Sequence, residues 1–332
     1  MAVVKSNAYG HGLVDFAREM ERRGADFLGV DSMTEALALR RHNIPTPILV
    51  LGYTLPELFD EAAEKDIALS VSSFEALDAL GKARPPKPLR THIKVDTGMH
   101  RQGFLFEEQK TLLSKLKTHS VRVEGLFTHF AAAKNPSFPK DTETQIAEFR
   151  KWIAVFKKTG FTPIVHAAAT AGALLFPEAH FDMVRIGVGL YGHWPAKEVE
   201  AFLQDRITLK PALRWKSVIT EIKSLKRGSR IGYDLTETLL RDSRAAIVPI
   251  GYWHGYPRAL SSIGRVVARG RECRVLGRVS MDILTIDITN APHARVGDVV
   301  EIILDESTAS LADSSIYEVI TRLNPLIKRL YH

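Results

Sequence analysis

Along the first two hundred residues, short apolar runs alternate with stretches whose apolar positions recur at helical spacing. This alternation is typical of β–α units, in which parallel strands form a central sheet. The helical stretches include Leu13–Arg23, Met33–Arg41, Ser73–Lys82 and Thr142–Lys158. The apolar runs predict strands at Ala2–Lys5, Phe27–Val30, Ile48–Gly52, Ile67–Val71, Thr91–Asp96, Val123–His129, Pro163–His166 and Met183–Ile186. Eight such strands predict a closed (β/α)8 barrel of the TIM type rather than an open sheet.

The pattern changes near residue 200, where β-branched runs and close turns replace the helical stretches. These runs predict strands at Val218–Ile222, Ala245–Pro249, Arg265–Ala268, Leu284–Ile288 and Val299–Leu304. Helical spacing returns only at Ser315–Leu323. We therefore expect a barrel over residues 1–200 and a mostly β domain over residues 201–332, connected within Trp194–Leu209.

Composition narrows the classes of function. The apolar share of 45% and the charged share of 25% are those of a globular protein. The net charge of +7 suits anionic ligands such as phosphates, but no run of basic residues indicates a nucleic-acid partner. No apolar run has the length of a membrane span, so we expect no membrane partner. The single cysteine, Cys273, and the lack of a signal peptide fit the cytoplasm. The HExxH, CxxC, P-loop and GxSxG motifs are all absent, and we expect no metal site.

Lys5 is the first candidate for chemistry. It ends the first apolar run, and parallel barrels place their reactive groups at the carboxyl ends of strands. A lysine amine in such a place can lose its charge by desolvation and form a Schiff base. A lysine at a strand end is more often a surface charge, but Tyr9, Gly10 and Gly12 follow closely, and the glycines let the backbone approach a ligand.

A phosphate site is predicted after the last two barrel strands. Thr170 follows the strand that ends at His166, at the start of a helix, where a hydroxyl and free N–H groups can cradle a phosphate. Gly187 and Gly189 would add N–H groups after the eighth strand, and Arg185 would point into the barrel mouth. Taken separately, the glycines could be tight turns and the arginine could belong to an ion pair.

The segment Ile93–Phe104 carries Lys94, Asp96 and Arg101. An arginine in this loop could hold a carboxylate through two parallel hydrogen bonds. His129, in the FTHF segment, could be a tuned acid or base, although a lone histidine in a strand is usually structural.

Tyr252 lies between Gly251 and Trp253 in the segment PIGYWHGYPR of the predicted β domain, and LGRVSMD follows at 276–282. A tyrosine is a poor base at its ordinary pKa near 10, but neighbouring cations lower that pKa and allow proton exchange. The other interpretation is an aromatic side chain packed at a domain interface.

These segments resemble, in order and spacing, the motifs of alanine racemases, a two-domain family that depends on pyridoxal 5'-phosphate. VVKSNAYGHG is similar to the family's cofactor-lysine motif, and the resemblance covers nearly the whole chain. It implies a homodimer with active sites shared between subunits. It also implies the interconversion of L- and D-alanine for peptidoglycan, by two-base proton transfer on a pyridoxal-phosphate aldimine.

The resemblance also implies roles for individual residues. Lys5 is the Schiff-base lysine and the base on one face of the substrate, and Tyr252, reaching the partner's site, is the base on the other. The substrate carboxylate is held by Arg101 and the backbone of Met281, and Lys94, often carbamylated in the family, steadies Arg101. The cofactor-binding positions are Lys5, Tyr9, His129, Thr170, Arg185, Gly187 and Val188. Arg185 faces the pyridine nitrogen and keeps it unprotonated, which disfavours transamination.

Three departures from the family pattern accompany these matches. The family's usual strand and helix before the lysine strand are missing, Trp253 and His254 stand where alanine and aspartate are common, and Arg322 stands near a phosphate-binding tyrosine of many members. Two alternatives stay open: a racemase of another small amino acid such as serine, and a catalytically weak pyridoxal-phosphate-binding protein. A fold-related decarboxylase fits less well, because PIGY and GRVSMD are racemase-like.

Overall fold

The computed structural model of the chain describes residues 1–83, 85, 87–119 and 121–331, and its first seven strands form one parallel sheet. The strands follow one another in sequence order, each paired with the next. They are β1 (Ala2–Val3), β2 (Leu28–Val30), β3 (Ile48–Val50), β4 (Ile67–Val71), β5 (Leu89–Lys94), β6 (Val121–Phe127) and β7 (Ile164–His166). Consecutive parallel pairing requires a crossover after every strand, which the intervening helices supply.

The eighth predicted strand is reduced to isolated bridges that complete the ring. Met183 bridges to His166 of β7, and Ile186 bridges to Ala2 of β1, both in parallel. The Ile186 N–H donates to the Met1 carbonyl, and the Val3 N–H donates to the Ile186 carbonyl. The last predicted strand therefore joins the seventh strand to the first. The fold class predicted from the sequence, a (β/α)8 TIM-like barrel followed by a mostly β domain, is confirmed.

Helices follow the strands, and four of them lie at the stretches that the apolar spacing predicts. They are α1 (Lys5–Tyr9), α2 (Leu13–Arg22), α3 (Met33–Arg41), α4 (Phe59–Glu64), α5 (Phe74–Ala83), α6 (Gln109–Thr118), α7 (Lys140–Lys158), α8 (Thr170–Leu175) and α9 (Lys197–Leu203). The first of them, α1, is not a right-handed helix, because its central residues lie in the left-handed region. Strand interiors are buried on both faces, with Leu28, Leu49 and Ile93 all fully inaccessible, as expected for parallel strands covered by helices.

The described residues form two compact units. The first comprises Met1–Ala8 and Gly12–Lys210, and the second comprises Tyr9–His11 and the chain from Pro211 onward. The domain boundary proposed at residue 200 stays a prediction. Among the described residues, no helix has the length and apolar character that crossing a bilayer requires.

Antiparallel strands dominate the second unit. They are β8 (Trp215–Val218), β9 (Glu221–Leu225), β10 (Arg230–Ile231), β11 (Glu237–Thr238), β12 (Ser243–Val248), β13 (Arg265–Ala268), β14 (Arg271–Arg274), β15 (Leu284–Asp287) and β16 (Val299–Ile302). Two short helices follow, α10 (Glu306–Leu311) and α11 (Ile316–Thr321). The sheets have the orders β14-β13-β16-β8 and β15-β12-β9, with a separate β10-β11 pair. Val248, Ile286 and Val300 belong to the buried core of this unit.

Candidate active site

Lys5 lies at the start of a left-handed turn that directly follows β1. Ser6, Asn7 and Ala8 have φ between 50° and 56°, and Tyr9 has φ of 50°. An L-residue in this region costs about 1–2 kcal/mol, so consecutive residues stay there only when the surroundings hold them. The predicted end of the first strand at Lys5 is wrong, because β1 ends at Val3 and Lys5 begins the turn.

Asn7 and Glu35 hold this turn in place. The Asn7 Oδ1 accepts a hydrogen bond of 2.9 Å from the Leu13 N–H, and the Asn7 N–H donates to Glu35 Oε1 at 3.3 Å. Glu35 Oε2 accepts in addition from the Asp31 N–H at 2.8 Å. One carboxylate therefore joins the turn after β1 to the segment after β2.

The Lys5 amine forms an ion pair with Asp31, with 3.0 Å between Nζ and Oδ1. The side chains of Lys5 and Asp31 are 37% and 56% exposed, respectively. The Lys5 side chain is therefore partly exposed, and an acidic partner meets its amine at the carboxyl end of the barrel strands. Its predicted role in Schiff-base chemistry stays a prediction.

Arg185 is buried at the same end of the barrel, with 4% of its surface exposed. Its Nη2 donates to the carbonyls of Thr128 and Ala167, both at 2.8 Å, and lies 3.1 Å from His129 Nδ1. Burial lowers the pKa of Arg185 to about 10, so the side chain remains a cation at neutral pH. Burial and the Arg185 charge together lower the pKa of His129 to about 3, so its ring is neutral.

Thr170 and the backbone of the Gly187–Gly189 segment form a small polar cradle. Thr170 begins α8, and its Oγ1 accepts from the N–H groups of Gly187 and Gly189, each at 3.3 Å. A Cβ on Gly189 would lie 2.8 Å from Thr170 Cγ2, so the close approach requires glycine. Val188 lies between these glycines at the start of a 3-10 turn.

Lys94, Arg101 and His129 line one depression at the ends of β5 and β6. Lys94 Nζ donates to Gln102 Oε1 at 2.9 Å. Burial, followed by the charge of Arg101, lowers the pKa of Lys94 to about 8. Asp96 Oδ1 accepts from three successive N–H groups, those of residues 98 to 100, and so shapes the loop that carries Arg101.

Tyr252 and Met281 come together in the second unit. The Tyr252 N–H donates to the Ser280 carbonyl, and the Trp253 N–H donates to the Met281 carbonyl, both at 3.0 Å. A Cβ on Gly251 would lie 2.2 Å from both carbonyl oxygens, so this turn also requires glycine. The side chains of Tyr252 and Met281 are exposed, at 43% and 52%.

Comparison with known proteins places this arrangement in a family. The pattern of the alanine racemase N-terminal domain matches residues 1–195, and that of the C-terminal domain matches residues 212–331. The chain belongs to the alanine racemase family. The alanine racemase of Symbiobacterium thermophilum is 39% identical to it, over all of this chain and 90% of the relative. The alanine racemase of Methanococcus maripaludis is 37% identical, over all of this chain and 91% of the relative.

Solved structures of alanine racemases have the same fold. The alanine racemase of Clostridium difficile 630 superposes with a TM-score of 0.91 at 32% identity, covering 97% of this chain and 86% of that one. The alanine racemase of Bacillus anthracis with bound L-Ala-P gives a TM-score of 0.91 at 34% identity, covering 97% and 85% of the two chains.

Within this alanine racemase fold, the residues predicted for the site fall into separate groups. The first unit brings His129 to Arg185, Thr170 to the 187–189 segment, and Lys94 and Arg101 to one depression. Tyr9, Tyr252 and Met281 lie in the second unit. The roles assigned to all of these residues stay predictions.

Four residues that contact predicted site residues or their turns were not predicted. Asp31 pairs with Lys5, Glu35 binds the turn after Lys5, Gln102 accepts from Lys94, and the ring of Tyr317 lies 6.3 Å from that of Tyr9. Glu35 had a sequence signal, because Ser32 and Glu35 form the S-x-x-E pattern of a helix start. The other three depend on pairing that no local spacing reveals.

Proposed function

We propose that the chain interconverts L- and D-alanine with pyridoxal 5'-phosphate and supplies D-alanine for peptidoglycan in the cytoplasm. The observation that carries the proposal is Arg185, a buried cation at the barrel end that carries Lys5, with a neutral histidine beside it. The family membership of both halves of the chain supports it.

The chemistry of the donors present fits this cofactor. The Thr170 hydroxyl and the N–H groups of the 187–189 segment suit a phosphate, and the resemblance adds Tyr9. The Lys5 amine suits covalent attachment of an aldehyde. Arg185 would face the pyridine nitrogen, and His129, next to Arg185, would link toward the catalytic tyrosine. When bound, pyridoxal phosphate makes the Cα proton of the attached amino acid acidic by accepting electron density.

Lys5 and Tyr252 would then hold and move the Cα proton on opposite faces of the substrate. In this proposal Lys5 Nζ takes the proton from one face, and the Tyr252 hydroxyl donates a proton to the other. The reverse direction exchanges these roles. Two bases on opposite faces invert the configuration, because the proton returns to the face from which it was not removed.

Arg185 would direct the reaction toward racemisation. A guanidinium donates hydrogen bonds and does not release its proton near neutral pH. A pyridine nitrogen opposite Arg185 would therefore accept a hydrogen bond without being protonated. An unprotonated nitrogen withdraws electrons less strongly, which disfavours competing transamination.

Arg101 and the backbone of Met281 would hold the substrate carboxylate. A guanidinium matches a carboxylate with two parallel hydrogen bonds and fixes its orientation. Lys94 lies in the same depression as Arg101 and would steady it. A substrate held by its carboxylate presents its Cα in a fixed direction to both bases.

We further infer a homodimer in which each Tyr252 completes the partner's site. Tyr252, Trp253 and Met281 are 43%, 49% and 52% exposed. Aromatic and methionine side chains are enriched where protein surfaces meet, which supports an interface at this turn.

A product assay over a panel of amino acids tests the proposal. The purified chain, supplied with pyridoxal phosphate, is incubated with single L- and D-amino acids, and the enantiomers are separated and quantified. We expect alanine to be racemised fastest. Faster racemisation of serine would assign a different substrate, and bound cofactor without racemisation of any amino acid would indicate a binding protein.

A further inference from the structure

A chain of hydrogen-bonded side chains crosses the interior of the barrel from Arg185 to Glu124. Arg185 Nη1 lies 2.9 Å from His166 Nδ1, and His166 Nε2 lies 2.8 Å from His92 Nδ1. His92 Nε2 lies 3.3 Å from Glu124 Oε2. Both histidine rings are completely buried, with no exposed surface.

The fold makes room for these rings and fixes their planes. A Cβ on Gly125 would lie 2.0 Å from His92 Nδ1, so the neighbouring strand needs glycine there. The ring of Phe127 stacks on His166 with an interplanar angle of 3° and 4.9 Å between centroids. The packing of the strands β5, β6 and β7 therefore holds this series of hydrogen-bonded side chains in place.

The end of this series of hydrogen bonds that lies farthest from Arg185 is the Glu124 carboxylate, which Arg90 holds. Arg90 Nε lies 3.0 Å from Glu124 Oε1 and 2.9 Å from Oε2, and Arg90 Nη1 lies 2.9 Å from the exposed Asp66. Burial opposes the charge of Glu124, but hydrogen bonds from His92 and Arg90 outweigh it and lower the pKa of Glu124 to about 2. Glu124 is thus a carboxylate that can only accept hydrogen bonds.

The two ends fix the positions of the protons between them. A guanidinium can only donate, so His166 Nδ1 must accept from Arg185. Burial, with the charge of Arg185 next, lowers the pKa of His166 and keeps its ring neutral. Its one proton is therefore on Nε2 and is donated to His92 Nδ1. Burial also lowers the pKa of His92, so its ring carries its one proton on Nε2 and donates it to Glu124.

We propose that Glu124 is a positioning residue that sets the direction of this entire chain of hydrogen bonds. By accepting from His92, Glu124 keeps Nδ1 of His166 an acceptor for Arg185. The opposite direction would turn an N–H of His166 toward the guanidinium, and two donors would face each other at 2.9 Å. Glu124 lies in the middle of β6 and acts on Arg185 only through the two imidazoles.

Removing this acceptor would reverse the direction of donation along the hydrogen bonds from Arg185 to Glu124. In a Glu124→Leu variant, no acceptor remains for the Nε2 proton of His92, and a buried N–H without a partner costs free energy. His92 would carry its proton on Nδ1, His166 would receive it at Nε2, and the remaining proton of His166 would lie on Nδ1, against Arg185.

Imidazole 15N NMR of the full-length chain, with and without pyridoxal phosphate, tests the inference. Single histidine-to-asparagine variants assign the resonances of His92 and His166. In the unmodified chain we expect both rings to be neutral, with the proton on Nε2. A proton on Nδ1 of either ring, or a doubly protonated ring, would overturn the inference without any variant having to fold.

The variants then test Glu124 itself. In Glu124→Leu we expect the Nδ1 resonances of His92 and His166 to move from the range of an unprotonated nitrogen to that of an N–H. Glu124→Asp, which keeps the charge, should retain the original proton positions. Unchanged proton positions in the leucine variant would contradict the proposal. The link to cofactor chemistry rests on the proposed function, but these resonances are read without substrate, so a failure of racemase activity leaves this result unaffected.

Discussion

At the scale of single residues, Lys94 combines a buried amine with a nearby arginine. Its pKa falls from 10.5 to about 8 in the folded chain, first through burial and then through Arg101. Between these two values the unfolded chain binds more protons than the folded chain, so the free energy of unfolding rises with pH in that range. At about 1.4 kcal/mol per pH unit, the gain is about 3 kcal/mol at most.

A Lys94→Met variant isolates this effect. Denaturant unfolding of both proteins in buffer free of carbon dioxide, from pH 7 to pH 11, gives the difference in unfolding free energy. We expect the parent chain to gain stability relative to the variant between about pH 8 and pH 10.5, because only the parent has an amine there to deprotonate. A difference that stays constant across this range would show that the folded Lys94 titrates like an exposed lysine.

Lys5 and Asp31 give a second prediction at this scale. Lys5→Ala should abolish covalent attachment of pyridoxal phosphate, detected by borohydride reduction and mass spectrometry of the peptide that contains residue 5. Asp31→Asn should leave attachment intact, because it removes the ion-pair partner and keeps the Lys5 amine that attaches the cofactor. Its stability should change by less than about 1 kcal/mol, as for other exposed pairs. Cofactor still fixed in Lys5→Ala would exclude Lys5 from the attachment site.

Residues at strand ends were largely predictable, whereas their partners were not. Arg185, Thr170 and His129 follow parallel strands, and the carboxyl ends of such strands meet at one end of a barrel. Asp31 is 26 residues from Lys5, and no spacing in the sequence couples the two. Glu124 was also missed, because a carboxylate within an apolar run shows its importance only when its buried histidine partner is known.

At the scale of elements, long periodic segments were predicted well and short ones less so. Helix α7 was expected from Thr142 and begins at Lys140, whereas α3 has the predicted bounds. The predicted strand Val218–Ile222 is wrong, because it spans the turn between β8 and β9. β-Branched side chains continue through that turn, so propensity alone could not separate the two strands.

Gly10, in the turn after Lys5, gives a prediction at the scale of elements, because it packs against α11. Gly10 has φ of +82°, and a Cβ there would lie 1.8 Å from the Ile320 carbonyl oxygen. Gly228 has φ of +84° with nothing within 4 Å, which makes it a matched control. Gly228→Ala should cost about 1–2 kcal/mol, from the left-handed backbone alone. Gly10→Ala should cost about 1–3 kcal/mol more, because the backbone of α11 must move.

Denaturant unfolding of the two alanine variants measures this difference. The two glycines lie in the same unit and have nearly the same φ, so the comparison isolates the steric clash with Ile320. Equal destabilisation by the two substitutions would mean that the chain absorbs the clash at Gly10 without loss.

At the scale of the whole molecule, the order of apolar runs predicts both halves of the fold. A barrel and a β domain differ in the period of their apolar positions, and the change in period is visible in one sequence. The proposed sharing of active sites between two subunits could come only from the family resemblance, because no pattern within one chain encodes which copy supplies a side chain.

Mixed dimers test this shared site. In the proposed dimer, Lys5→Ala and Tyr252→Phe are each inactive or strongly impaired alone, the latter by about 10²–10⁴-fold as for other acid–base groups. A dimer with one copy of each variant has one site with both defects and one with neither. By the two-fold symmetry of such an interface, it should recover about half of the parent activity. A purified mixed dimer with no recovered activity would mean that both residues act within one chain.

The central claim is that this chain racemises alanine with Lys5 and Tyr252 on opposite faces of the substrate. Proton exchange during turnover tests this claim most directly. L-Alanine and D-alanine are incubated separately with the chain and pyridoxal phosphate in D2O, and Cα deuteration and enantiomer composition are followed together. Both reactions should end at equal amounts of the two enantiomers, which have the same free energy in water, with deuterium at Cα. In Tyr252→Phe, Cα deuteration on the face served by Lys5 should continue at a higher rate than racemisation. Loss of alanine to pyruvate, or no Cα exchange from either enantiomer, would contradict the account.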